Sequence, residues 1–421
     1  MSVQNQPDTA APEVQREAAT AAVQRLQQAG YTSYLAGGCV RDRLLGIEPL
    51  DYDIATEAHP DQVLALFPGA TAVGKSFGVV VTPWPPWTFE IATFRQDHDY
   101  QDGRHPSHVS FVTAEEDATR RDFTINGMFY DPIKKEVYDF VGGKEDLEKK
   151  VLRAIGDPQK RFEEDRLRMI RAVRFSCRLG YDIEEKTYKA IQEYSHTVLP
   201  AVSMERIWQE FSKMIKDEHF GDAVMMMYDT GLLKAVFPSL EATTKEALEE
   251  NVKGFTLFSD KVPAVLYVAT LFLQKPLEDT LEQCKLLKMS KKERSFVETL
   301  YHARDLSDDE NTENVSWVRL YADDNTEACL EVLAAYYHEE ERSEFLKDYR
   351  RKRRLMSSAI GRIKNKTPIV TSAILQEHGI VPGKEMGDIL REAERIAVNE
   401  MLDDANDIIK LLQKSPIWPQ R

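Results

Sequence analysis

Residues 34–56 read YLAGGCVRDRLLGIEPLDYDIAT. The order of residue types predicts strand, turn, short helix, strand. Residues 34–36 are a short apolar entry, and Gly37-Gly38 is a tight turn that lets backbone approach a ligand. Residues 39–45 can wind as a short helix before Gly46 stops them. Polarity alternates through residues 51–55. A strand there puts Asp51 and Asp53 on one face and sends Tyr52 and Ile54 into a core. Two carboxylates so close repel each other unless a cation lies between them. Hard oxygen ligands suit magnesium, which is commonly held by one or two carboxylates plus substrate phosphates. Upstream, backbone N–H groups at Gly38 and the forked guanidinium of Arg41 are suited to the oxygens of a triphosphate. No G-x-x-x-x-G-K-[ST] string occurs, so this is not a Walker loop.

On either side of this stretch the chain alternates short elements. Residues 1–14 are expected to be disordered, and residues 13–29 read as a helix closed by Gly30. Residues 61–67 form a short helix between Pro60 and Pro68. Residues 78–82 and 88–94 read as strands of a hairpin joined by the rigid PWPPW of residues 83–87. In the second strand Glu90 faces away from Phe89 and Ile91. It is a candidate third carboxylate beside Asp51 and Asp53, with a solvent glutamate as the alternative. Residues 96–109, QDHDYQDGRHPSHV, read as a mobile polar loop. Residues 120–128, RRDFTINGM, set Arg121 beside Asp122, to hold either a triphosphate or a structural ion pair. A second Gly-Gly turn lies in YDFVGGKEDL, residues 138–147, and is expected to act as a pivot.

Strand signals fade from about residue 151, and amphipathic helical patterns replace them. The most informative is FEEDRLRMIRAVR, residues 162–174. On one continuous helix Asp165 and Arg168 are three apart and share a face. Arg171 lies on a neighbouring stripe, Arg174 turns progressively away, and Leu167, Ile170 and Val173 form the buried side. An Asp–Arg pair at this spacing is common on helices. It also matches a base edge. Cytosine and adenine both present an amino donor beside a ring-nitrogen acceptor. Asp165 can accept from the first while Arg168 donates to the second. Uracil and guanine would leave both partners unpaired, which is how a buried polar site rejects a wrong ligand.

The string GGxxRD…DxD…AT of residues 37–56 resembles the nucleotidyltransferase superfamily of polymerase-β type. It is most similar to the class II branch, the tRNA CCA-adding enzymes and bacterial poly(A) polymerases. RRDFTxN at 120–126, D-x-x-G-G-x-x-D-L at 139–147 and E-D-x-x-R at 164–168 resemble the second, third and fourth motifs of that branch. MERIWQE at 204–210 resembles the fifth, read here as holding the neighbouring helix in place. Arg166 departs from the pattern, where a small residue or proline is more usual, and is expected to face solvent or RNA phosphate. The resemblance implies an α+β fold. A polymerase-β-type nucleotidyltransferase head with a small mixed sheet, residues 15–150, would precede an all-α neck (151–215), body (216–304) and tRNA-binding tail (305–421). It implies extension of tRNA 3′ ends from CTP and ATP, with Asp51 and Asp53 holding Mg2+ and Glu90 as third catalytic carboxylate. Gly38, Arg41, Arg121, Asp165, Arg168, Arg171 and Arg174 would bind the nucleotide.

Rival readings remain open. A poly(A) polymerase usually carries a basic GRRFRLVHV-like segment where residues 74–82 read GKSFGVVVT. Enzymes adding only CC or only A, a non-catalytic RNA-binding protein and nucleotidyl transfer to a small molecule are the others. The CC-adding type lacks the loop that residues 96–109 resemble.

Composition sets the outer limits. At 421 residues, 42% hydrophobic and 30% charged, the chain reads as an ordinary soluble globular protein of about three domains. No apolar run of membrane-spanning length or signal-peptide core occurs. The four cysteines are scattered without a C-x-x-C pair, which fits a reducing cytoplasm. A net charge of −15 hides segregation. Residues 149–180 carry ten Lys/Arg against four Asp/Glu, and residues 347–366 nine against one. Two basic zones in an acidic protein suggest a localised track for phosphates. Nothing points to a protein partner. The basic run at 350–354 and the acidic stretch at 305–313, expected to be a linker, lie in the last helical region.

Overall fold

In the computed structural model, residues 12–73, 77–100, 106–309 and 311–419 are described. The chain divides into two compact units between Ala242 and Thr243. In the first, helix α1 (Pro12–Gln28) buries Ala18, Ala19, Ala22, Val23 and Leu26, an i, i+4 stripe facing the core. Residues 12–14, expected to be disordered, are its first turn. Gly30 follows with φ 92°, ending it as expected.

Then come β1 (Ser33–Ala36), α2 (Gly38–Leu44), β2 (Asp53–Thr56), α3 (Pro60–Leu66), β3 (Thr71–Ala72), β4 (Val79–Trp84) and β5 (Trp87–Thr93). They are followed by β6 (Arg95–Tyr100), β7 (Pro106–Phe111), α4 (Ala114–Thr119), β8 (Phe129–Asp131) and β9 (Glu136–Tyr138). Seven strands form one mixed sheet in the order β3-β4-β5-β2-β1-β8-β9. Only β2 and β5 run parallel; the other neighbours are antiparallel. The β4–β5 hairpin closes at Trp84↔Trp87 around Pro85-Pro86, where no backbone N–H is available to continue the ladder. Leu35, Ile54, Phe89 and Ile91 pack on one face of this sheet, and Ala36, Ala55 and Phe129 on the other.

The expected mobile loop at 96–109 differs. Its two arms, β6 and β7, pair as an antiparallel ribbon, while residues 101–105 lie outside the described residues. Lys75 and Ser76, on which the comparison with a basic poly(A) polymerase segment rested, lie outside them too.

Helices follow, as the fading strand signal predicts: α5 (Gly143–Lys149), α6 (Pro158–Glu164), α7 (Leu167–Leu179), α8 (Glu185–Tyr194), α9 (Val198–Ala201), α10 (Met204–Lys216), α11 (Phe220–Asp229) and α12 (Leu232–Val236). Two-residue strands β10 (Val151–Leu152) and β11 (Asp182–Ile183) pair in parallel among them. The Gly142-Gly143 turn is pinned rather than open. Asp139 accepts the N–H groups of Val141, Gly142, Gly143 and Lys144 at 2.9–3.1 Å. A Cβ on Gly143 would lie 2.3 Å from the Thr124 carbonyl oxygen, so glycine here serves close packing.

The second unit is helical among its described residues. The C-terminal core gathers Leu375, Ile389, Ile408 and Leu412. Helix Lys291–Asp308 runs through Asp305 and Asp308, so the expected linker starts as the end of a helix. Its first turn is capped by Ser290 and Glu293 in a reciprocal box, so Lys291, Lys292 and Arg294 lie at a helix start. Gly383 sits at the N-cap of Lys384–Asn399. The boundary expected at 304/305 falls inside a helix, and the one at 215/216 falls one residue before the end of α10.

Candidate active site

β1 ends at Ala36, which pairs with Asp53, so β1 offers Asp51 no partner. β2 therefore starts at Asp53 rather than at residue 51. The alternation still holds, with Tyr52 and Ile54 buried and Asp51 and Asp53 exposed. Glu90 is the in-register partner of Asp53 across the parallel β2–β5 pair, so both carboxylates leave the same face. Although Asp53 is open to solvent on one side, the protein packed around its carboxylate strips water from it; this and then the Glu90 charge raise it from its ordinary value, while Arg121 pulls it back and Asp51 adds to the push.

Among the described residues no three His, Cys, Asp or Glu side chains close around one point. Asp51 and Asp53 thus form an open anionic edge, not a cage. Such an edge fits a hard divalent cation, which takes few carboxylates and leaves its other positions to water and phosphate.

Gly37 caps α2 with φ 75°, and a Cβ there would lie 3.2 Å from Arg121 Nη1 and 4.0 Å from Asp53 Oδ2. Glycine therefore lets backbone, Arg121 and Asp53 share one corner. Arg121 donates to Asp117 at 3.0 and 3.2 Å through Nη2 and Nε, and its Nη1 faces Gly37. Arg41 differs from a free phosphate fork. It is 2% exposed, donates to Asp42 at 2.7 and 2.8 Å, and donates to Asn126 Oδ1 at 2.6 Å. Asn126 donates in turn to Asp122 at 3.1 Å, and Asp122 accepts Arg171 at 2.6 and 3.0 Å. This chain of charge-assisted bonds ties α2 and the segment 120–126 to α7. Burial alone would raise Asp122, but the Arg171 charge and hydrogen bond bring it down to about 2.

The single helix expected over residues 162–174 is broken. α6 ends at Glu164, and Asp165 is extended, with φ −146° and ψ 103°. The reason lies in the Asp165 side chain. It accepts the Leu167 N–H at 3.1 Å, a cap-like bond that competes with helix continuation. It also accepts Arg206 of α10 bidentately at 3.1 and 2.7 Å. Arg168 donates to Glu164 at 2.8 Å and to the carbonyls of Arg161 and Arg120 at 3.1 Å each. A carboxylate offers roughly four acceptor directions and a guanidinium about five donors. Asp165 is left with about one and Arg168 with about two, held in place by the bonds already made.

Arg174 does not turn away. It is 6% exposed, donates to Glu210 at 2.6 Å and lies over the Phe175 ring at 4.1 Å. Arg41 and Arg171 approach the same ring at 5.1 and 5.2 Å. Glu210 and Arg206 belong to the 204–210 motif, so α10 does hold α7 in position. Arg166, the departure from the pattern, is partly exposed and donates to the Glu163 carbonyl.

One cavity of about 560 Å3 joins Gly38, Asp51 and Asp53 with Asp165 and the α7 arginines. That size suits a small ligand. Its lining brings eight Lys and Arg side chains against five Asp, a positive site in a chain of net charge −15. Every predicted nucleotide-binding residue lines it, including Arg41, Arg121, Arg171 and Arg174. Glu90 does not line it and acts on it through Asp53. Sequence reading missed Asp122 and Asn126 as the links between head and α7, and missed Arg178 and Lys213. The spacing 168, 171, 174, 178 is a 3-3-4 helical face, which was a usable signal for Arg178.

Residues 33–153 match the family described as "Poly A polymerase head domain", and residues 180–244 match "Probable RNA and SrmB- binding site of polymerase A". A CCA-adding enzyme of Lactobacillus helveticus is 35% identical over 390 residues, 92% of this chain and 94% of that one. One of Bacillus subtilis is 43% identical over 208 residues, 49% of this chain and 52% of its own. The crystal structure of Bacillus stearothermophilus CCA-adding enzyme in complex with CTP superposes with a TM-score of 0.75 at 27% identity, covering 96% of this chain and 98% of that one. With likeness running over nine-tenths of its length, this chain belongs to the CCA-adding enzymes, with an α+β nucleotidyltransferase head followed by helices.

Proposed function

We propose that this protein adds and repairs the 3′-terminal CCA of tRNA, taking CTP and ATP as substrates. The observation that carries the reading is the shared cavity, in which an Asp165–Arg168 pair with spare hydrogen-bonding capacity faces the exposed Asp51 and Asp53. The amino group of cytosine or adenine donates to Asp165, and Arg168 donates to the adjacent ring nitrogen. Protein side chains then stand in for a template. Arg206 and Glu164 keep the pair in register, so little reorganisation is needed when the base arrives.

In this reading the tRNA 3′-hydroxyl gives up its proton to solvent, its oxygen attacks the α-phosphorus, the bond from that phosphorus to the bridging oxygen of the β-phosphate breaks, and pyrophosphate leaves. Arg121, the backbone at Gly38 and the cationic wall of α7 offset the triphosphate charge. Asp51 and Asp53 would hold Mg2+, which supplies Lewis-acid stabilisation of the attacking and leaving oxygens, and Glu90 reinforces the negative potential at Asp53. Residues 15–150 act as head, 151–215 as neck, 216–304 as body and 305–421 as tail. In the tail, Arg350, Arg351, Arg353 and Arg354 are exposed near the end of helix Glu339–Leu355 and offer a track for tRNA phosphates. Four free cysteines suit a cytoplasmic setting. Among the described residues no helix is long and apolar enough to cross a membrane.

The test is product sequencing. The protein is incubated with Mg2+, CTP and ATP and with tRNAs ending before CCA, after C and after CC. Restored CCA ends on all three are expected. Long A-tails would make it a poly(A) polymerase, arrest at CC or failure before CC would make it a partial enzyme, and no extension would leave an RNA-binding protein.

A further inference from the structure

We infer that Arg178, assisted by Lys213, binds the terminal phosphates of the incoming nucleotide and the pyrophosphate that leaves. The inference rests on the reading above, since it assigns the far end of that same cavity. Arg178 lines the cavity at the last turn of α7. The other lining arginines each donate at least one hydrogen bond within the fold: Arg41 to Asn126, Arg120 and Arg121 to Asp117, Arg168 to Glu164, Arg171 to Asp122 and Arg174 to Glu210.

Arg178 is different. Among the described residues its guanidinium has two ion pairs, to Asp42 and to Asp217, both at 3.8 Å and both too long for hydrogen bonds. Its side chain is 28% exposed. Asp42 is already engaged, with Oδ1 accepting two bonds from Arg41. Asp217 caps α10 one turn after Lys213, whose side chain is 54% exposed and pairs with Glu210 at 3.3 Å. A guanidinium with all its donors available, at the wall of a positive cavity, is poised for a bidentate anion. The two ion pairs it would leave are long, at 3.8 Å, and the buried Asp42 keeps its bonds from Arg41, so little is lost, and phosphate returns charge-assisted bonds.

Position along the helix selects the anion. Arg168 and Arg178 are ten residues apart, about 15 Å along the axis at the usual rise. With the base at Asp165 and Arg168, Arg178 is out of reach of base and ribose. It faces Asp42 on α2, one turn after Gly38, on the phosphate side of the cavity. The group that reaches it is the polyphosphate end of the same ligand.

Calorimetric titration with pyrophosphate alone, on the wild type and on Arg178→Gln, tests this without requiring transfer. A rise in Kd of about tenfold or more is expected from loss of a charge-assisted pair, with a smaller rise in Lys213→Ala. An unchanged Kd in Arg178→Gln overturns the inference, even if tRNA extension by the wild type is as proposed. In steady state, KM for CTP and for ATP should rise together, with KM for tRNA and the ratio of CTP to UTP incorporation unchanged. A rise confined to the tRNA KM would move Arg178 to the RNA backbone and also overturn it. Because Arg178 makes no hydrogen bond among the described residues, the melting temperature of Arg178→Gln should match that of the wild type. This separates lost binding from lost folding.

Discussion

Asp51, Asp53 and Glu90 on the strand side of the site, and Arg168, Arg171 and Arg174 on α7, are both rows of like charge, yet their surroundings differ. The arginines are each joined to a carboxylate at 2.6–2.8 Å and are mostly buried. Among the described residues the three acids close no ion pair, and desolvation and mutual repulsion raise Asp53. Paired charge builds a frame that keeps its shape with or without ligand. Unpaired charge marks the place where a ligand must bring the opposite sign. On this view the strand side carries the chemistry and α7 carries the recognition, and substitutions on the two sides should fail differently.

The largest effect is expected at Asp53→Asn. Nucleotide transfer should fall by about a thousandfold or more, as for loss of a principal electrostatic group. The melting temperature in metal-free buffer should stay level or rise, because a like-charge contact is relieved. A lower melting temperature would make Asp53 part of the frame and break the comparison.

Glu210→Ala should show the reverse pattern. It strands Arg174, which is 6% exposed, without a partner, and denaturant unfolding should report a loss of about 3–5 kcal/mol. A loss under about 1 kcal/mol would mean that α7 does not depend on α10 for its place.

Asp122 gives a smaller effect that depends on pH. Its folded pKa of about 2 lies below the unfolded value, so its contribution is present above that unfolded value and fades as pH falls through about 2. Between about pH 4 and about pH 2 the wild type should lose about 2 kcal/mol more than Asp122→Asn. Parallel pH profiles would show that the Arg171 bond contributes no net stability.

Much of this was legible in the residues. Alternation announced the buried Tyr52 and Ile54, and the same rule put Glu90 on the opposite face from Phe89 and Ile91. Gly30 and Gly46 ended helices where expected, both with positive φ. What was not legible is long-range. Nothing near Arg41 in sequence says that Asn126, 85 residues later, takes its Nη1. The break at Asp165 follows from Arg206, 41 residues on, and from a side chain that caps the next helix instead of facing solvent. Periodicity assumes an unbroken helix, so it could not report that break. It also read Arg174 as turning away, although positions 168, 171, 174 and 178 line one cavity.

The most direct test of the account is base selection by the α7 frame. Single-turnover incorporation of CTP and UTP into a tRNA ending before CCA is measured for the wild type and for Asp165→Ala. The account predicts that the preference for CTP falls by about tenfold or more in the variant, because the partner that accepts from the amino group is gone. Equal slowing with both nucleotides, at an unchanged ratio, would contradict it and leave Asp165 as a cap and a partner of Arg206 alone.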